Sequence, residues 1–143
     1  MAITVDTTGF ERSHEKLLAG LNDLRALAGQ LPALPLPERE QARERLLWYL
    51  HDEVEPHTKL DEQLLYPAVA ERLGDALIAV SMRYDHLAIR HWISKVAEAD
   101  MSDTDRLQRL LYGLDALIRV HVWKENELFL ASLESGSWPH SGC

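Results

Sequence analysis

Apolar residues recur at intervals of three and four through FERSHEKLLAGLNDLRALAGQL, the period of an amphipathic helix, and predict a first helix over about 8–30. Thr7 or Thr8 is placed to cap its start. The next segment, LPALPLP, carries three prolines and predicts a loop. A second helical pattern runs over about 38–73, with Pro56 inside it. Proline in a helix interior removes one backbone hydrogen bond, so a kink is expected just before His57. Gly74 reads as the C-terminal stop, and Asp75 opens a third helix over about 75–100. Ser102 and Asp105 have the spacing of a capping box ahead of a fourth helix, over about 103–134. The remainder, SGSWPHSGC, reads as a flexible tail over 135–143. Four helices with short connections predict an all-α, up-down-up-down antiparallel four-helix bundle, one domain over 1–143.

The apolar stripes of these helices are interrupted in a consistent way. On the second, the stripe Leu47, Leu50, Val54, Leu64, Leu65, Ala68 contains His57 and Asp61, four apart and therefore on one face. Unpaired burial of such groups costs several kcal/mol or forces the carboxylate to neutralise, so they need a partner. The other helices repeat the anomaly. His14 lies with Phe10, Leu17, Leu18, Leu21 and Leu24; His86 with Met82, Ile89, Ile93 and Val96; His121 with Leu114, Ile118, Leu128 and Ser132. Glu125 follows His121 by four, as Asp61 follows His57. His51 instead shares a polar stripe with Glu55, Thr58 and Glu62 and is expected in solvent, and His140 belongs to the tail.

Counted from the predicted turns at about 1.5 Å per residue, these inward groups sit within roughly 2 to 8 Å of a common level. Four imidazoles and two carboxylates in one slab of an apolar core make a candidate dinuclear metal site. Mixed nitrogen and oxygen donors without thiolate suit iron, manganese or zinc. The one cysteine, Cys143, excludes an intrachain disulfide and a cysteine-built zinc site. A ferritin-type site needs paired Glu-x-x-His motifs, and only Glu11 and His14 have that spacing. A zinc-protease H-E-x-x-H motif is absent, since His14 and Glu15 are followed by KLL. The formal charge of −8, from 23 acidic and 15 basic residues, argues against nucleic-acid or anionic-membrane surfaces. With neither a signal-peptide pattern at the N-terminus nor an 18-residue apolar span, the expected location is the cytoplasm.

Four segments taken in order, RSHEKLL, PHTKLDEQLLYP, YDHLAIRHWI and HVWKENELFLASL, resemble the hemerythrin-like family, also called the HHE cation-binding domain, over about residues 7–134. The resemblance implies a non-haem diiron centre of the Fe–O–Fe type. His14 and His57 would bind one iron, His86 and His121 the other, with Asp61 and Glu125 bridging. It also implies binding, sensing or reaction with a small oxidant: dioxygen, peroxide or nitric oxide. Zinc and manganese remain alternative metals.

Two positions depart from the family pattern. Asp61 stands where glutamate is usual, one methylene shorter; Glu62, about 100° further round the helix, is expected to support a ligand from outside or to reach solvent, with replacement of Asp61 as the alternative. Arg90 stands where oxygen-carrying hemerythrins have a second third-helix histidine. His91 is one residue further on and would turn inward only through a π-bulge. A coordination position is therefore expected to be open to water, a small ligand or another side chain such as Tyr84. Alternative readings are a redox enzyme turning over peroxide or nitric oxide, and a zinc or mixed-cation bundle whose metal only supports folding. Signalling would need a separate partner protein. Trp48, Trp92 and Trp123 are expected in ordinary packing or a homodimer contact.

Overall fold

A computed structural model of the protein describes residues 4–135. All the regular structure among the described residues is helical. Helix α1 spans Thr7–Gln30, and a 3-10 turn, Leu31–Ala33, follows it. Helix α2 is a continuous helical run over 36–73. Helix α3 spans Leu77–Glu98, and α4 runs over 104–135. Helix α1 packs on α2 and α4, and α3 packs on the same two, closing the expected four-helix bundle.

The helix ends correct several local expectations. Asp6, not Thr7 or Thr8, caps α1, its carboxylate accepting the Gly9 N–H at 2.9 Å. Asp103 caps α4 by accepting the Arg106 N–H at 3.1 Å, while Ser102 donates its hydroxyl to Asp100. In both cases a carboxylate three residues before an orphan N–H takes the position that a hydroxyl was expected to fill. Gly74 does end α2, in the left-handed conformation at φ +68° that glycine adopts without steric cost. Helix α3 starts later than expected because Asp75 accepts the Leu77 N–H from outside the helix.

The prolines of α2 act differently from a simple kink. Two wide π-helical turns, Leu50–Val54 and Asp61–Leu65, alternate with α-helical Leu36–Tyr49, Glu55–Leu60 and Tyr66–Leu73. Each wide turn ends two residues before a proline, Pro56 or Pro67. The residue ahead of each proline donates five back: Glu55 N–H to Leu50 C=O and Tyr66 N–H to Asp61 C=O. Widening the turn gives room to a ring that would collide with the carbonyl four residues earlier. One extra residue per turn also shifts the stripe, so Leu64, expected inside, is 45% exposed, and Thr58, expected outside, is buried. A third wide turn, Glu125–Leu130, interrupts α4 between Thr104–Lys124 and Ala131–Ser135.

Two apolar layers result. The larger contains Leu17, Leu21 and Leu24 of α1, Leu50 and Val54 of α2, Ile89 and Ile93 of α3, and Ile118 and Val122 of α4. The smaller contains Phe10, Leu65, Tyr66, Met82, Phe129 and Leu130. On every helix a polar inward residue falls between the two. Trp48 and Trp123 point to solvent, whereas Trp92 is half-buried. Trp138, His140 and Cys143 lie outside the described residues.

Candidate metal centre

His14, His57, Asp61, His86, His121 and Glu125 are all buried, and the structure brings them together at the level between the two apolar layers. His14 Nε2 lies 3.1 Å from His57 Nε2, and His86 Nε2 lies 3.0 Å from His121 Nε2. Asp61 and Glu125 occupy the middle. Their oxygens stand 3.1 Å (His57 to Asp61) to 3.9 Å (His121 to Asp61) from the surrounding Nε2 atoms. None of these contacts is aligned as a hydrogen bond, so all four carboxylate oxygens are buried without a hydrogen-bond partner among the described residues. Both acids open a wide turn, Asp61 at 61–65 and Glu125 at 125–130.

Outward from the cluster, every histidine is held through Nδ1. His14 Nδ1 meets Asn126 Oδ1 at 2.5 Å, His57 Nδ1 meets Ser13 Oγ at 2.8 Å, His86 Nδ1 meets Glu62 Oε1 at 3.0 Å, and His121 Nδ1 meets Asp85 Oδ2 at 2.9 Å. Carboxylate and amide oxygens have no proton to donate, so Nδ1 of His14, His86 and His121 carries the hydrogen, and a neutral ring among them presents its Nε2 lone pair inward. The four bonds form a ring: α1 orients the histidine of α2, α2 that of α3, α3 that of α4, and α4 that of α1. In each case the orienting residue is the sequence neighbour of an inward one: Ser13 of His14, Glu62 of Asp61, Asp85 of His86, Asn126 of Glu125.

Charges follow from these contacts. Burial opposes the charge of Asp61, yet the facing His121, His57 and His86 outweigh it and hold the carboxyl far below its ordinary range. Burial likewise opposes protonation of His57, but Asp61 and Glu125 raise it to about 9. His121 is also raised to about 9 against burial, by Asp61, Asp85 and Glu125. Asp85 stays ionised, at about 2, because hydrogen bonds from His121 and Lys124 overcome its partial burial. In the metal-free chain, protons on His57 and His121 thus supply the positive charge that the two buried carboxylates demand.

Of the additional residues expected, Glu62 takes the outer of its two expected places, as the partner of His86 Nδ1, and does not replace Asp61. Tyr84 is 66% exposed, and Arg90 and His91 are exposed too. No π-bulge forms in α3, which stays α-helical through Leu77–Glu98, so His91 keeps its outward face. The tyrosine that enters the cluster is Tyr66, 1% exposed, with its hydroxyl 2.9 Å from both His86 Nε2 and His121 Nε2. Burial and the charges of Glu125 and Asp61 push its phenol well above the ordinary value. Five residues after Asp61, Tyr66 would point about 140° away on a regular helix; the wide turn brings it back onto the same face. The available signal was Pro67, which calls for such a turn in the preceding residues. His51, as expected, is at the surface, 3.2 Å from Glu55.

The donor set divides into two groups able to hold a cation: His14, His57, Asp61 and Glu125, and Asp61, His86 and His121. Orphaned carboxylates facing convergent imidazole nitrogens fit a positive charge at each. The fold and the cluster therefore define an all-helical bundle suited to metal binding. Residues 6–133 match the model of the family described as Hemerythrin HHE cation binding domain, and the chain belongs to that family. Comparison with curated proteins and with solved structures gave no match. No helix among the described residues is long and apolar enough to cross a membrane.

Proposed function

We propose that the protein holds two iron ions in this cluster and binds, senses or reacts with a small oxidant, whether dioxygen, peroxide or nitric oxide. The observation that carries the reading is the set of four buried, unpartnered oxygens on Asp61 and Glu125 among four inward Nε2 atoms. His14 and His57 would hold one ion, His86 and His121 the other, with Asp61 and Glu125 between them. When bound, an iron pair supplies reversible electron transfer and a coordination position for a small ligand.

The chain's own residues prepare the site. The ring through Ser13, Glu62, Asp85 and Asn126 keeps each Nε2 aimed inward, and the two apolar layers exclude water. A pocket of about 160 Å³ lined by Val5, Phe10, Leu60 and Leu64 reaches the Ser13–His57 edge. Its apolar walls suit the approach of a small neutral molecule.

Metal analysis with near-ultraviolet and visible spectra, in air and after anaerobic reduction, tests this reading. The expected result is about two irons per chain and bands that bleach on reduction and return with air or peroxide. Sustained turnover of peroxide or nitric oxide without loss of metal would make the centre a redox enzyme. Zinc, or no metal, with no bands after iron reconstitution, would remove the redox reading and leave a cation-binding bundle.

A further inference from the structure

We propose that Tyr66 is a protein ligand, its phenolate oxygen binding the same ion as His86 and His121; the inference rests on the two-metal reading above. The Tyr66 hydroxyl and the two Nε2 atoms form a triangle with sides of 2.9, 2.9 and 3.0 Å. Three donors at about 2.0–2.1 Å on one face of an octahedral ion stand about 2.9 Å apart, whereas tetrahedral donors stand about 3.3–3.4 Å apart. The observed triangle has the octahedral edge.

Hydrogen bonding alone does not account for it. Glu62 and Asp85 occupy the Nδ1 protons of His86 and His121, so facing the cluster only the phenol O–H and, while His121 is charged, its Nε2–H can donate. Two protons serve at most two of the triangle's three sides and leave the third pair at contact distance without one. Once those protons leave, three lone pairs converge on one point, which is what a cation collects. The ring is firmly placed: it stacks on His86 at 5.4 Å and packs edge-on against Phe129 at 5.9 Å. On metal binding the phenol O–H breaks, its proton leaves to solvent, and the oxygen–metal bond takes its place. The two halves of the centre are then unlike. The His86 and His121 half has a phenolate, whereas Phe10 covers the rings of His14 and His57 edge-on.

The test loads the intact chain and Tyr66→Phe with Fe(II) anaerobically, oxidises both, and measures iron per chain, visible absorption and resonance Raman scattering. Ring-deuterated tyrosine is incorporated to identify tyrosine modes. Of the chain's other tyrosines, Tyr49 donates to Leu17 C=O, and Tyr84 and Tyr112 are exposed, so a tyrosinate signal reports Tyr66. The expected outcome is a phenolate-to-Fe(III) charge-transfer band with deuterium-sensitive ring modes in the natural chain. Tyr66→Phe should lose that band while keeping its iron. A natural chain that holds iron without tyrosinate modes overturns the ligand role and leaves the metal centre standing. A chain that takes up no iron overturns both. Should Tyr66→Phe fail to fold, the labelled natural chain decides alone.

Discussion

Asp61 has no solvent exposure, two oxygens without hydrogen-bond partners, and three imidazoles within 3.9 Å. Its position states what each inward residue needs: a shared positive charge. Removing one imidazole should therefore cost metal and not merely packing. His57→Ala or His121→Ala is expected to lose about one metal ion per chain or more, while exposed His51→Ala keeps the full complement. Elemental analysis of the three variants checks this, and full metal in both core variants would contradict the assignment. The metal-free chain carries a second expectation. His57 and His121 are raised from 6.5 to about 9 on folding. A raised folded-state value contributes stability that is complete below the unfolded value and lost as pH rises through the folded one. Chelator-treated protein should thus melt at progressively lower temperature between about pH 6.5 and 9. A flat or rising melting temperature across that window would show that protons do not substitute for the cation.

At the scale of the helices, periodicity explains most of the arrangement, and the wide turns explain the exceptions. His14, His86 and His121 stand on regular helical stripes, so counting by three and four located them. Leu64 and Tyr66 could not be located that way, because the wide turn over Asp61–Leu65 adds a residue to the count and exchanges faces. The ring of Nδ1 contacts is also an inter-helix device. Asp85 on α3 accepts from His121 on α4 and is held by Lys124 at 2.5 Å. Asp85→Ala would free the His121 ring without removing any inward donor, and is expected to weaken metal binding about 10- to 100-fold. Competition with a chromophoric chelator measures it, and unchanged affinity would reduce the ring to surface hydrogen bonding.

For the whole molecule, the polar slab separates two apolar layers, and its unpartnered oxygens oppose folding unless a cation or protons neutralise them. Metal removal should accordingly lower the melting temperature at neutral pH, and refilling with zinc should restore stability without restoring oxidant-sensitive bands. Thermal melts of native, chelated and zinc-refilled protein make the comparison. Identical melts before and after verified metal removal would place the centre outside the folding balance.

The sequence by itself determined four helices, the Gly74 stop and the six polar residues that face inward, because a 3.6-residue period and the cost of burying charge are local properties. Capping was decided by the structure, since Asp6 and Asp103 each stand within two residues of the hydroxyls expected to serve. Only the tertiary structure decided which nitrogen of each histidine points inward, since that depends on pairs such as His14 and Asn126, 112 positions apart. It also decided that Tyr66, not Tyr84, Arg90 or His91, joins the cluster. A single added residue in one turn rotates everything after it, and whether a helix accepts that addition depends on proline sterics and on what the rotated face packs against.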